Sequence, residues 1–113
     1  MPTPEAIVER QLAAFNARDL RAFLAEYSDD VLVYRPPGTE PVFVGKDALG
    51  RFYATERFNR PNLHASIVNR IIVGDRVIDH ERIFGVKDQP FELAVVYGIA
   101  AGRIKWIWSY AAQ

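Results

Sequence analysis

YSDDVLVYRPPG, Tyr27 through Gly38, packs a helix end, a turn, a strand and a hard stop into one short stretch. Val31 to Arg35 alternates in a β-compatible way, and Pro36-Pro37 lacks the amide donors that a ladder needs, so the strand ends there. Period two then sets Val31, Val33 and Arg35 on one face and Leu32 and Tyr34 on the other. Whatever this domain encloses, Arg35 is the last side chain the strand offers to it.

Upstream of that stretch the spacing is helical. Thr3-Pro4-Glu5 supplies a hydroxyl cap, a proline at the first helical position and a carboxylate near the positive dipole end. Val8, Gln11, Leu12 and Phe15 follow on one stripe. Asp19 can cap a second helix that carries Leu20, Phe23, Leu24 and Tyr27 on one side. Downstream, Gly45 to about Phe58 reads as a third helix with Leu49, Phe52 and Tyr53 inward. After Pro61 the period changes to two. Leu63 to Val73 and Arg76 to Phe84 form a hairpin around Gly74-Asp75, and Phe91 to Ile99 and Arg103 to Tyr110 form another around Ala101-Gly102. Helices first and strands afterwards predict an α+β domain, three N-terminal helices on a curved, mostly antiparallel sheet with a cavity at its open end.

Composition narrows the function. The 113 residues suit one domain, 1–113, and half of them are hydrophobic, enough for a core without staples. With no cysteine there is no thiol nucleophile and no thiolate zinc site. Fourteen basic and fourteen acidic residues cancel, which argues against nucleic-acid binding. No secretory signal and no long apolar run is visible, so the expectation is a cytoplasmic protein without a membrane partner.

Three stretches together, Phe15 to Gly38 (FNARDLRAFLAEYSDDVLVYRPPG), Gly45 to Tyr53 (GKDALGRFY) and Gly102-Arg103-Ile104 with the aromatic strand behind it, resemble the NTF2-like superfamily, in particular its SnoaL-like and ketosteroid (steroid delta-) isomerase-like members. The resemblance spans essentially the whole chain and implies a cone-shaped pocket for a small molecule, with no cofactor. Ketosteroid isomerases use an Asp base with an oxyanion hole of a Tyr and a protonated Asp. The resemblance puts the base position at Arg35, the tyrosine donor near Gln11 and the protonated carboxyl near Val95. Supporting tyrosines match at Tyr27 and Tyr53. Both catalytic carboxylates are therefore missing, and that mechanism cannot run here as it stands.

Pairing across a two-residue turn sets Ala65, Ile67, Asn69, Ile71 and Val73 on one face with Arg76, Ile78, His80, Arg82 and Phe84. The apolar members of the first set make this the expected cavity face, with Asn69, His80 and Arg82 inward. A three-residue turn would instead bring Asp79 and Glu81 inward. In the favoured register His80 is the acid/base candidate, since imidazole titrates near neutrality. Its competing reading is a hydrogen-bonded histidine paired with Asp79 or Glu81. Arg35 and Arg82 are candidates for holding a carboxylate or an enolate-like oxyanion, or for pairing with Asp29, Asp30 or Glu81. Tyr27 and Tyr53 fit either as pocket hydroxyls or as core aromatics.

Alternation separates His80 from Asp79 and Glu81, and His64 faces away, so no metal is expected. On the last strand Ile107, Ser109 and Ala111 suit a cavity wall. Ile104, Trp106, Trp108 and Tyr110 share the other face, where exposed aromatics predict a homodimer packed sheet to sheet. Proton transfer on a small hydrophobic carbonyl compound, as in isomerases or polyketide cyclases, is one reading. The alternatives are a non-catalytic binding domain for a small acidic or apolar ligand, and a structural domain whose cone is filled.

Overall fold

A computed structural model describes residues 2–112. Two helices, α1 (Pro4–Ala17) and α2 (Leu20–Ala25), lead into β1 (Tyr27–Tyr34) and a short β2 (Phe43–Val44). Then come α3 (Lys46–Glu56), β3 (His64–Val73), β4 (Arg76–Phe84), β5 (Phe91–Ala100) and β6 (Arg103–Ala111). The six strands form one sheet in the order β2-β1-β6-β5-β4-β3. Every pairing is antiparallel except β1 with β6. The helices cover the inner face, as the sequence pattern predicts.

The helix signals act where they stand. Thr3 accepts from the Ala6 amide at 3.1 Å, and Asp19 accepts from the Ala22 amide at 3.1 Å. The second helix is shorter than expected, and Tyr27 opens β1 rather than closing α2. The cause is tertiary capture: the Ile104 amide donates to the Glu26 carbonyl, and Tyr27 lies beside Ile104 in the parallel β1–β6 ladder. Tyr27 is nonetheless buried, against Phe23 at a centroid distance of 4.9 Å.

Gly74 (φ 58°) makes the expected two-residue turn, and Val73 pairs with Arg76, Ile71 with Ile78 and Asn69 with His80. Beyond Asn69 the pairing departs from simple alternation. Ile67 pairs with Glu81 and Ala65 with Ile83, so Val68 is an extra residue in the ladder. Such β-bulges favour edge strands, and β3 is one. The bulge switches the inward parity of β3 from Ala65 and Ile67 to Arg70 and Ile72. A second irregularity at Lys105 does the same to β6, because Ile99 pairs with Ile104 but Gly98 with Trp106. Ile104 is therefore fully buried, not on the outer face with the tryptophans.

Candidate functional site

The helices and the inner sheet face enclose a cavity of about 400 Å³. Its walls carry Val33, Arg35 and Pro36 from the opening stretch, Gln11, Leu12 and Phe15 from α1, Phe52 and Tyr53 from α3, and Val95, Tyr97, Ile107, Ser109 and Ala111 from β5 and β6. Tyr27, Tyr53, Gln11, Arg35, Val95 and Ile107 thus all reach the cavity. Asn69, His80 and Arg82 do not.

β4 explains that correction. Val77, Asp79, Glu81 and Ile83 are buried along it, while His80 and Arg82 are exposed. The two-residue turn is as expected. Ala65, Ile67 and Ile71 do not share one face, because the Val68 bulge sets Ile71 on the side opposite the other two. Asn69 shares the outer face with His80. The His80 ring bonds Glu92, which also accepts from Arg82 at 3.2 Å. This cluster lies in solvent, with the His80 side chain 45% exposed.

Glu81 takes the inward place. It is 6% exposed and is the one acidic side chain on the cavity wall among the described residues. Tyr97 donates its hydroxyl to Glu81 Oε2 at 2.9 Å. Behind it, Gln11 Nε2 donates to Tyr97 Oη at 3.4 Å, and Tyr27 donates to Gln11 Oε1 at 2.9 Å. Every donor in this relay points toward the carboxyl. Burial pushes the Glu81 carboxyl up to about 7, with the charge of Asp79 adding to the rise and the Tyr97 bond and Arg70 opposing it. Burial also holds the Tyr97 and Tyr27 phenols well above their ordinary range. They remain protonated donors at neutral pH. Tyr53, pushed up to about 12 by burial, does so too.

Asp79, two residues before Glu81 and fully buried, has a different fate. Arg70 grips it with Nε at 2.6 Å from Oδ1 and Nη2 at 2.9 Å from Oδ2, and also pairs with Glu9 on α1. A fork-to-fork pair of this kind locks the carboxylate into structure. Glu81, by contrast, has no cationic partner and faces open space.

Opposite this interior lies a cationic rim. Arg35 stands 5.6 Å from the Phe43 ring and 5.8 Å from Phe52, Arg57 sits 4.9 Å from Phe52, and Lys87 sits 4.6 Å from Phe91. All three cations line the cavity. No cluster of three or more His, Asp or Glu among the described residues could hold a metal ion.

Sequence reasoning did not single out Tyr97, Arg57 or Lys87, and it brought Glu81 inward only in the alternative register of a three-residue turn. Tyr97 was within reach of it, since it follows the pocket residue Val95 by two positions on one strand. Glu81 was hidden by the bulge.

Comparison with known proteins agrees with this architecture. The sequence pattern of the SnoaL-like domain matches residues 8–107. Among solved structures, a cystatin-fold protein from Novosphingobium aromaticivorans superposes with a TM-score of 0.85 at 22% identity, covering 96% of this chain and 98% of that one. A candidate ketosteroid isomerase from Kribbella flavida gives 0.83 at 15% identity, covering 97% and 78%. A candidate polyketide cyclase from Sinorhizobium meliloti gives 0.79 at 19%, covering 96% and 94%. At these identities the structural likeness speaks for the fold alone.

Proposed function

For a chain that belongs to the SnoaL-like domain family, we propose proton transfer on a small, largely apolar carbonyl compound, with Glu81 as the acid/base. One observation carries this reading: a single buried carboxyl on the cavity wall, raised to about 7 and aligned by a tyrosine. At neutral pH about half of such carboxyls are ionised, the balance general acid–base catalysis favours. The carboxylate removes a proton from the carbon beside the carbonyl, leaving an enolate and a neutral Glu81. Glu81 then returns that proton, to the same carbon or to one conjugated with it. The Tyr53 and Ser109 hydroxyls and the Gln11 amide line the same cavity and are the donors available to the enolate oxygen. This arrangement replaces both the missing isomerase carboxylates and the histidine expected from the sequence.

The test is deuterium exchange. 2-Tetralone, an apolar ketone with an acidic C–H, is incubated with the protein in D2O and followed by proton NMR. The wild type accelerates exchange beside the carbonyl, and Glu81→Gln lowers that acceleration by about 100-fold or more. His80→Gln leaves it unchanged. Binding without acceleration supports the second reading, a non-catalytic pocket. The openness of the cavity favours both over a filled structural cone.

We further infer a homodimer through the outer sheet face. Tyr110 is 45% exposed there, and Trp108 stacks on Tyr34 at 5.9 Å. Arg76 lies over both tryptophans, in space left by the missing side chain of Gly98. An aromatic surface of this kind suits a partner. Sedimentation velocity should give twice the monomer mass, and Trp108→Arg should return it to the monomer; a monomeric wild type would refute the assignment.

A further inference from the structure

The charges on the cavity wall are not balanced as they are in the whole chain. Arg35, Arg57 and Lys87 stand at the rim, and none makes an ion pair with the described residues. The one acid on the wall, Glu81, is buried. Elsewhere several cations are matched by carboxylates, Arg70 with Asp79 and Glu9, Lys105 with Asp30 and Arg10 with Glu26, and Arg60 and Arg103 donate to backbone carbonyls instead.

The geometry of the rim adds direction to that excess. Arg35 and Arg57 both pack against Phe52. An aromatic ring against a guanidinium fixes it, and although Arg57 Nη1 donates to the Glu56 carbonyl at 2.8 Å, the remaining N–H donors of the fork suit a planar oxyanion. Burial lowers the Arg57 guanidinium from its ordinary value, with the charges of Arg60 and Arg35 adding to the fall and Tyr53 and Glu56 opposing it. Two cations that share one aromatic ring and make no ion pair among the described residues carry a cost that an anionic ligand would relieve. Tyr53 forms no hydrogen bond with the described residues, and burial and the Glu81 charge raise its phenol while Arg57 and Arg35 oppose that rise. Its hydroxyl is a third donor of the same polarity. Inward of the rim the wall turns apolar, through Phe15, Val33, Leu49, Val95 and Ile107.

We propose that the ligand is a small carboxylic acid with an apolar body, its carboxylate held at the mouth by Arg35 and Arg57 with Lys87 nearby, and its body directed inward toward Glu81. This deepens the proton-transfer reading by naming the substrate class as an oxo-carboxylic acid, and rests on that reading only for the reacting C–H group. A neutral ketone would leave the rim charges unanswered.

A matched pair of probes isolates the charge. Naphthalene-2-acetate and naphthalene-2-acetamide share a shape and differ by one negative charge. Calorimetric titration of the wild type at pH 7.5 in about 20 mM salt, where screening is weak, should show the acid binding at least about tenfold tighter than the amide. That preference should shrink as salt rises. Arg35→Gln with Arg57→Gln should erase it while changing the amide's Kd less than about twofold, and Arg82→Gln on the outer face should preserve it. The wild-type ratio decides by itself if the double variant does not fold. Equal binding of the two probes, or tighter binding of the amide, overturns the anionic ligand and leaves the pocket and its proton transfer standing. Loss of 2-tetralone exchange with the acid preference intact removes the catalytic reading and keeps this one. Failure of both probes to bind overturns the anionic ligand, and 2-tetralone exchange then decides the proton-transfer reading by itself.

Discussion

The tetrapeptide Asp79-His80-Glu81-Arg82 presents the two faces of β4 side by side. Outward, His80 and Arg82 share Glu92 in solvent. Inward, Asp79 and Glu81 are buried at 0% and 6% exposure. By residue type alone the histidine is the better acid/base. By environment it is Glu81, because burial is the largest cause raising its carboxyl toward neutrality, and the inner face provides that burial. The inner pair divides again. Asp79 is neutralised by Arg70 and stabilises structure, whereas Glu81 is left facing the cavity and carries the cost of burial.

If that division is right, the largest effect belongs to the locked pair. Arg70→Met leaves Asp79 buried without its partner and should cost about 3–5 kcal/mol, seen as a fall in melting temperature of more than about 10 °C. A smaller loss would mean that Asp79 finds another donor. Glu81 should behave in the opposite sense. Its folded pKa lies above its ordinary value of 4.5, at about 7. The stability tied to its protonated form is therefore present below about pH 4.5 and is lost as pH rises through 7. Glu81→Gln should then stabilise the protein at pH 8 by up to roughly 3 kcal/mol, with little gain at pH 4. Denaturant unfolding at the two pH values checks this, and a pH-independent difference would contradict it.

Tyr97→Phe probes the relay that ends on Glu81. It removes the bond to Glu81 and strips Gln11 of an acceptor, which should cost about 1–3 kcal/mol. It should also raise the Glu81 titration further, since that bond favours the ionised carboxylate. The outer face should yield least. His80→Gln touches an exposed pair and should move the melting temperature by no more than about 2 °C. A larger shift would mean that the outer cluster is structural in a way its exposure does not suggest.

The same strand shows what could be read in advance. Pro36-Pro37 ends β1 at Tyr34, Gly74-Asp75 makes a two-residue turn, and both follow from local chemistry. The fold was legible because caps, turns and periodicity are local. The pocket residues that follow from β1 and from the helices, such as Arg35, Gln11 and Tyr53, were legible for the same reason. The Val68 bulge was not. It lies between two tertiary anchors of β3, the Asn16 side chain that bonds both the amide and the carbonyl of Ala65, and Arg70, which reaches Asp79 and Glu9. No local pattern announces either anchor. One inserted residue transfers Asn69 outward and Arg70 inward, and with them the inference about which face of β4 holds the chemistry.

The central claim is that Glu81 titrates near neutrality inside the cavity while the Tyr97, Tyr27 and Tyr53 phenols keep their protons. Carbon-13 NMR of the Glu81 side-chain carboxyl, assigned by comparison with Glu81→Gln, measures this directly across a pH series. The account predicts a midpoint at about 7. A midpoint close to the ordinary 4.5 would contradict it and return Glu81 to the ranks of structural carboxylates.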